Sequence, residues 1–370
     1  MKTKVSIVIV LVVLIAGGYR WYARPAPAEN TVRIGVITSL TGPAASLGEF
    51  MHEGVRMAYE DGMKEKGIDL VMEEDGCNGK GGVAAYQKLR AAGVRYIVGP
   101  LCGASRIPVL AAAENGEAIL VTTGLALVTA PATRAHTFNV LPSVTAVAEV
   151  IFDYAAGTGG HRKISLLYPA DDYGQENEIA VRGRAVSSGV LLPSVEKYAR
   201  GATDLRTQVL KLKTDGSDAV LAVAYGPDYA VFLKQAKELG LTKPIFAVSN
   251  VQTPEAAKMD AETGQKIYYS YPVSSGFPTV KAFSDAYQAR HGGADGFVPM
   301  YVGSGYDALK ILAAAIAECG DDFKCVDGQL KGLRGYAGAN GLIDFDGHGN
   351  NGAAGGIEIR VLEKGIFSRM

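Results

Sequence analysis

The residues of this chain best placed to do chemistry lie in short loops of small and hydroxyl residues that follow apolar, β-branched runs. In the first third these are Thr41-Gly42-Pro43, Gly99-Pro100-Leu101-Cys102-Gly103-Ala104-Ser105 and Thr122-Thr123-Gly124-Leu125-Ala126. The second follows a predicted strand and precedes a predicted helix. Its backbone N–H groups at Gly103, Ala104 and Ser105 therefore make a seat for a carboxylate or carbonyl. Gly124, Leu125 and Ala126 offer donors of the same kind. An ordinary strand-to-helix turn explains any one such loop, but three at one edge of one sheet point to a ligand. Further along, Asp171-Asp172-Tyr173-Gly174 and Tyr225-Gly226 put tyrosines on equivalent loops. There a ring gives apolar area and its hydroxyl a polar handle.

Catalytic signatures are missing. The chain has no P-loop and no G-x-S-x-G. Gly303-Ser304-Gly305 lacks the outer glycine spacing of a nucleophile elbow and reads as helix packing. His52, His136, His161, His291 and His348 are scattered without metal-ligand spacing. Asp344-Phe345-Asp346-Gly347-His348-Gly349-Asn350 faintly resembles a calcium loop but lacks the acidic twelfth position, so turn chemistry is the better reading. With no nucleophile–base pair, the expectation is a non-enzymatic binder without metal or cofactor.

These loops need elements to position them. Strands are predicted at Val32–Thr38, Asp69–Glu73, Tyr96–Val98 and Ala118–Val121, with helices at Gly48–Glu65, Val83–Ala92 and Ser105–Asn115 between them. Such alternation indicates βαβ units and a parallel sheet. It restarts after Asn139-Val140-Leu141-Pro142, with helices at Val144–Tyr154, Gln175–Ser187, Leu205–Lys213 and Asp228–Leu239. The strands of this second series are Lys163–Leu167, Gly189–Lys197, Ala219–Ala224 and Ile245–Val248. Two α/β modules in succession make a bilobal protein. Helices at Thr279–His291 and Met300–Cys319 need a sheet to pack on, and the first module is the better candidate. Leu342–Asp346 and Gly356–Leu362 read as a hairpin around a Gly/Asn turn.

At 370 residues, 48% apolar and 20% charged, the chain can build two cores. A net charge of −1 argues against nucleic acid as a partner. Two lysines in Met1–Lys4 precede the apolar run Val5–Tyr19, the layout of an export signal. The run is shorter than the ~20 residues of a spanning helix. It reads either as a signal cleaved near Ala26-Pro27-Ala28 or as an uncleaved anchor held by Arg20, Trp21, Tyr22 and Arg24. Both place the rest outside the cytoplasm, the second as a membrane-tethered sensing ectodomain. No cysteine follows the run, which excludes a lipoprotein anchor. The four cysteines, Cys77, Cys102, Cys319 and Cys325, suggest two disulfides in an exported protein. Three pairings are possible. Cys319–Cys325 closes a five-residue gap and leaves Cys77–Cys102 as the other bridge.

The chain resembles the extracytoplasmic substrate-binding proteins of branched-chain amino acid ABC transporters, the Leu/Ile/Val type. The likeness rests on RIGVITSLTGPAASLGEFMHEGVRMA, Asp75-Gly76-Cys77, the Gly99–Ser105 segment with Cys102, Asp172-Tyr173-Gly174, and Gly335-Tyr336-x-Gly338 with Phe345-Asp346-x-x-Gly349. It spans about Val32 to Leu362. It implies a type I periplasmic-binding fold: two Rossmann-like lobes with parallel central sheets, joined by a three-strand hinge near Asn139–Pro142, Tyr269–Pro272 and Gly338–Gly341. The implied division is residues 1–30 as signal or anchor plus linker, 31–141 with 272–340 as one lobe, and 142–271 with 341–370 as the other. The implied partners are a small-molecule ligand and a membrane permease, with the binder a monomer.

Departures from the family pattern fall at the amino-acid head group. The hydroxyl residue after the loop cysteine is here Gly103, with Ser105 nearby. The threonine of the third loop is Ala126, and the acidic partner of the α-ammonium is Asn250. An unpaired ammonium in a closed cleft is costly. Tyr173 and Tyr225 match the family's pocket tyrosines. The expected ligand is therefore a carboxylate, amide or aromatic compound lacking an ammonium, with an amino acid still open. Gly103–Ser105 and Gly124–Ala126 would hold its carboxylate or carbonyl. Tyr173 and Tyr225 would pack on the body, and Asn250 would supply a neutral hydrogen bond.

Overall fold

The first β-branched run forms β1 (Val32–Thr38), whose last five residues are buried because strands flank it on both sides and layers cover both faces. The computed structural model describes residues 31–63, 67–114, 118–127, 136–292, 298–352 and 356–370. The apolar run Val5–Tyr19 and the expected helix ends at Glu65 and Asn115 lie outside these. After β1 come α1 (Ala45–Ala58), β2 (Ile68–Glu74), α2 (Gly79–Ala91), β3 (Tyr96–Val98), α3 (Gly103–Ala113), β4 (Ile119–Thr122) and β5 (Thr137–Asn139). The strands form a five-stranded parallel sheet in the order β2-β1-β3-β4-β5.

The chain then crosses to a second module: α4 (Val144–Ala156), β6 (Ile164–Pro169), α5 (Asp172–Ser188), β7 (Val195–Tyr198), α6 (Arg206–Thr214), β8 (Ala219–Ala222), α7 (Gly226–Glu238), β9 (Ile245–Ala247), α8 (Pro254–Thr263) and β10 (Lys266–Tyr271). It returns through α9 (Pro278–His291), α10 (Met300–Cys319), α11 (Phe323–Lys331), β11 (Tyr336–Ala337) and β12 (Leu342–Ile343). It ends with β13 (Glu358–Glu363) and β14 (Ile366–Arg369) in the second sheet, of order β14-β13-β10-β9-β8-β6-β7. That sheet is parallel from β10 to β7 and antiparallel across β10, β13 and β14.

Three local expectations are corrected. Leu342-Ile343 pairs with Tyr336-Ala337 and not with the terminal strand. The terminal hairpin is β13–β14, turning at Lys364 and Gly365, both at positive φ (54° and 76°); a mirror-image turn of this kind matches strand twist. The strand predicted at Gly189–Lys197 is confined to Val195–Tyr198, because the chain leaves α5 through a left-handed Gly189 and only then joins the sheet. The helices α8 and α11 were not anticipated, being short and polar.

The late helices do pack on the first module. Their seam with α1 is made by glycines: a Cβ on Gly54 would stand 1.9 Å from the Val302 carbonyl oxygen, and one on Gly305 2.3 Å from that of Met51. Gly303-Ser304-Gly305 is thus a packing motif, as expected. Three stretches of chain cross between the modules side by side. Asn139 N–H donates to the Gly349 carbonyl at 2.8 Å, and Ser274 N–H to that of Asn340 at 2.8 Å.

Asp307 ties α10 to this hinge. It is 1% exposed, and the Ala339 N–H lies 2.9 Å from each carboxylate oxygen. Burial pushes its pKa up to about 7, from an ordinary 3.8. The folded state therefore holds this proton more tightly than the unfolded chain, so stability declines as pH rises from about 4 to 7. Asp307→Asn removes the charge and keeps one acceptor. It is expected to raise stability at pH 8 by roughly 2 kcal/mol, under the linkage ceiling of ~4 kcal/mol, and to give no gain at pH 4. Thermal melts of both proteins at the two pH values check this; equal gains at both would show that the charge is not the cause.

Candidate functional site

The carboxyl edges of the two sheets face each other, and the N-termini of α1 and α3 on one side meet those of α5, α7 and α8 on the other. Local capping sets these helix starts. Asp171 accepts from Gly174 N–H at 2.9 Å, and Thr253 caps α8 through Ala256 N–H. Between the edges lies a pocket walled by Leu47, Leu101, Cys102, Gly103, Arg106, Leu125, Leu127 and Tyr301 from the first module and by Tyr173, Tyr225 and Asn250 from the second. About 20 Å³ within it is open to the centre of a water-sized sphere, room for one water.

Arg106 is the only charged side chain among these described walls. It sits one turn into α3, 2% exposed, and its Nη2 donates to the Leu125 carbonyl at 2.5 Å. Gly124 makes its slot: a Cβ there would fall 2.0 Å from the Leu101 carbonyl oxygen and 3.2 Å from Arg106 Nη1. Across the cleft, Tyr301 donates its hydroxyl to Asn250 Oδ1 at 2.8 Å. Burial pushes the Tyr301 phenol above its ordinary pKa, with the Arg106 charge opposing. Tyr173 and Tyr225 pack with ring centroids 5.4 Å apart. Tyr225 donates to Asp171 Oδ2 at 3.1 Å, whereas the buried Tyr173 hydroxyl has no hydrogen-bond partner among the described residues. Burial holds both phenols well above the usual range, so both are neutral donors at pH 7.

Of the residues read from sequence, Gly103, Leu125, Tyr173, Tyr225 and Asn250 meet in this pocket. Ala104, Ser105, Gly124 and Ala126 do not line it. Ser105 turns away: its Oγ donates to Asp75 Oδ2 at 2.5 Å and its N–H to the Cys102 carbonyl at 3.2 Å. Ala126 is a hinge brace, donating to the Pro142 carbonyl and accepting from Val144 N–H, each at 2.9 Å. Ala104 packs against the core of its module, and Gly124 acts by making room for Arg106. The N–H groups of Ser105 and Ala126 are already used within the fold.

Sequence reading missed Arg106, Tyr301 and Asp75. Arg106 had a signal, being the lone cation at the head of the apolar helix Ile107–Ala113. Tyr301 had none, because it arrives from α10. Asp75 is a buried hub that takes Ser39 Oγ at 2.6 Å, Ser105 Oγ at 2.5 Å and Cys77 N–H at 2.8 Å. Both expected disulfides are formed, Cys77–Cys102 and Cys319–Cys325, leaving no free cysteine. The Asp344–Asn350 stretch is a turn in which Asp346 caps His348 and Asn350 N–H. No group of three or more potential metal ligands occurs among the described residues.

Two α/β modules joined by three crossings, with converging helix N-termini over a buried interlobe pocket, define a bilobal binding protein. The chain belongs to the periplasmic binding protein family, whose model matches residues 31–360. It is 24% identical over 310 residues to the leucine-, isoleucine-, valine-, threonine- and alanine-binding protein of Pseudomonas aeruginosa, covering 81% of this chain and 82% of that one. Among solved structures it is similar to a leucine binding protein from Thermotoga maritima, with TM-score 0.83, 20% identity, and 91% and 97% of the two chains covered. A solute binding protein from Rhodopseudomonas palustris in complex with p-hydroxybenzoic acid superposes with TM-score 0.80 at 19% identity, covering 92% and 95%. No helix among the described residues is long and apolar enough to cross a membrane.

Proposed function

We propose that this chain is the extracytoplasmic solute receptor of an ABC transporter. Its lobes, 31–141 with 272–340 and 142–271 with 341–370, close on a small organic monocarboxylate with an aromatic or branched apolar body. The closed form then presents that solute to a membrane permease. The observation that carries the reading is the buried Arg106 guanidinium in the wall of the interlobe pocket.

A cation in a low-dielectric site favours an anionic partner. The N-termini of α3 and α7 add partial positive charge on either side. Tyrosine and leucine walls suit an apolar body, and the Tyr173 hydroxyl is available as a donor. An α-ammonium would meet Arg106 as a like charge and find Asn250 where a carboxylate is needed. The relatives named above include both amino-acid binders and an aromatic-acid binder, and the pocket chemistry favours the second kind.

Binding shifts the open–closed equilibrium because only the closed form contacts the solute from both lobes. A thermal-shift panel of the purified protein tests this, since a ligand of the native state raises the melting temperature by mass action. 4-Hydroxybenzoate, benzoate and branched short-chain acids are expected to stabilise, and leucine, isoleucine and valine are not. Stabilisation by leucine with none from the acids would overturn the ligand class.

A further inference from the structure

One arginine of the second lobe touches both lobes. Arg200 sits beyond β7 in a turn closed by Ala202 N–H to the Ala199 carbonyl at 3.0 Å. Its guanidinium spans the cleft: Nη2 donates to the Cys77 carbonyl at 3.1 Å, and Nη1 lies 3.2 Å from Cys77 Sγ. On its own side the guanidinium carbon is 5.7 Å from the Tyr225 ring centroid, a cation–π distance, and Nε is 3.9 Å from Asp171 Oδ2. Asp171 is also the carboxylate that takes the Tyr225 hydroxyl and caps α5, on which Tyr173 stands. The one side chain therefore grips the opposite lobe and backs a tyrosine of the pocket.

Both ends of this bridge are held firmly. The turn carrying Arg200 is fixed by Asp228, which accepts Gly201 N–H at 3.2 Å and the Tyr198 hydroxyl at 3.0 Å. The receiving carbonyl belongs to Cys77, fully buried, at φ 53°, with its N–H on Asp75 and its sulfur bonded to Cys102 of the pocket wall. When the lobes part, the contacts to Asp171 and Tyr225 can persist, whereas the bond to Cys77 cannot. Only a contact that differs between two states can bias their equilibrium, and this is such a contact. The bridge from Tyr301 to Asn250 lies within the pocket itself, where a solute competes for it. The Arg200 bridge uses a backbone carbonyl of the rim.

We propose that Arg200 is the latch of the closed form, a positioning residue that holds Tyr225 against the solute and keeps the lobes together. It therefore sets how long a captured solute stays, more than how fast it enters. The inference rests on the cleft-closure reading above, and its test separates the two. Stopped-flow kinetics with 4-hydroxybenzoate, followed by tyrosine fluorescence, compare the wild type with Arg200→Ala and Arg200→Lys. Arg200→Ala is expected to raise the dissociation rate at least tenfold with the association rate within threefold and the melting temperature nearly unchanged. Arg200→Lys, which keeps charge but not the fork, falls between.

A dissociation rate within twofold of wild type overturns the latch. So does a matched fall in association rate and melting temperature, which would mark general structural damage. Small-angle scattering without solute gives the second arm: Arg200→Ala is expected to shift the ensemble to a larger radius of gyration. Where 4-hydroxybenzoate binds, the rates decide. If it binds neither protein, the ligand assignment fails, and the latch is judged by scattering alone, with superimposable curves overturning it.

Discussion

Arg106→Met is expected to weaken binding of an aromatic carboxylate by about 100-fold or more, roughly 3 kcal/mol, while leaving the protein as stable as before or more so. The two effects have opposite causes. A guanidinium 2% exposed in the pocket wall has lost most of its hydration, and a carboxylate brought to it replaces that hydration with a charge-assisted bond. Removing the cation leaves the bound carboxylate buried without its counter-charge. In the ligand-free protein the same removal takes away a desolvated charge at the cost of its bond to the Leu125 carbonyl, and methionine fills a similar volume. Calorimetric titration with 4-hydroxybenzoate and parallel thermal melts measure both sides. Arg106→Lys keeps the charge but loses the planar fork that reaches the Leu125 carbonyl, so most of the affinity should still be lost. Affinity within threefold of wild type in Arg106→Met would remove the guanidinium from the ligand site.

Asp75→Ala is expected to cost about 3 kcal/mol of folding stability and to weaken binding as well. The carboxylate is 1% exposed and joins three cleft segments: Ser39 after β1, Cys77 before α2 and Ser105 at the head of α3. Burial raises its pKa while the bonds from Ser105, Ser39 and Cys77 pull it back, and burial wins. Alanine leaves the Ser39 hydroxyl and the Cys77 N–H facing a void, each with a desolvation cost, while Ser105 keeps only its bond to the Cys102 carbonyl. The loss reaches the ligand because α3 carries Arg106 and starts from Cys102, both of which line the pocket. Asp75→Asn retains one acceptor oxygen and should lose less. Urea denaturation with an unchanged m-value and a lower midpoint is the expected signature for Asp75→Ala. A midpoint equal to wild type would show that the hub is dispensable.

The alternation of strands and helices was legible because each follows from a local period in one stretch of chain. β1, β3 and α10 fall where the apolar pattern places them. The terminal hairpin was misread for a related reason. Leu342-Ile343 and β13 are consecutive strands, yet each found a different partner, and partner choice depends on what else the fold brings near. Ser105 and Ala126 show the same gap at the site. Their positions in strand-end loops were correctly read, but whether an N–H is free depends on acceptors such as the Pro142 carbonyl.

Composition, periodicity and spacing by themselves determined two α/β modules, two disulfides among four cysteines, an absence of catalytic motifs, and tyrosines near a cleft. These are properties of contiguous segments, or of residue types that need no partner to be counted. Which residues wall the cleft follows from packing between distant segments. That packing placed Arg106 in the glycine slot at Gly124, brought Tyr301 from α10 to Asn250, and carried Arg200 across to Cys77. A side chain's role in a closed site depends on burial and on the partner it meets there. Both are set by chain packing between segments as far apart as Asn250 and Tyr301, and no local pattern records that meeting.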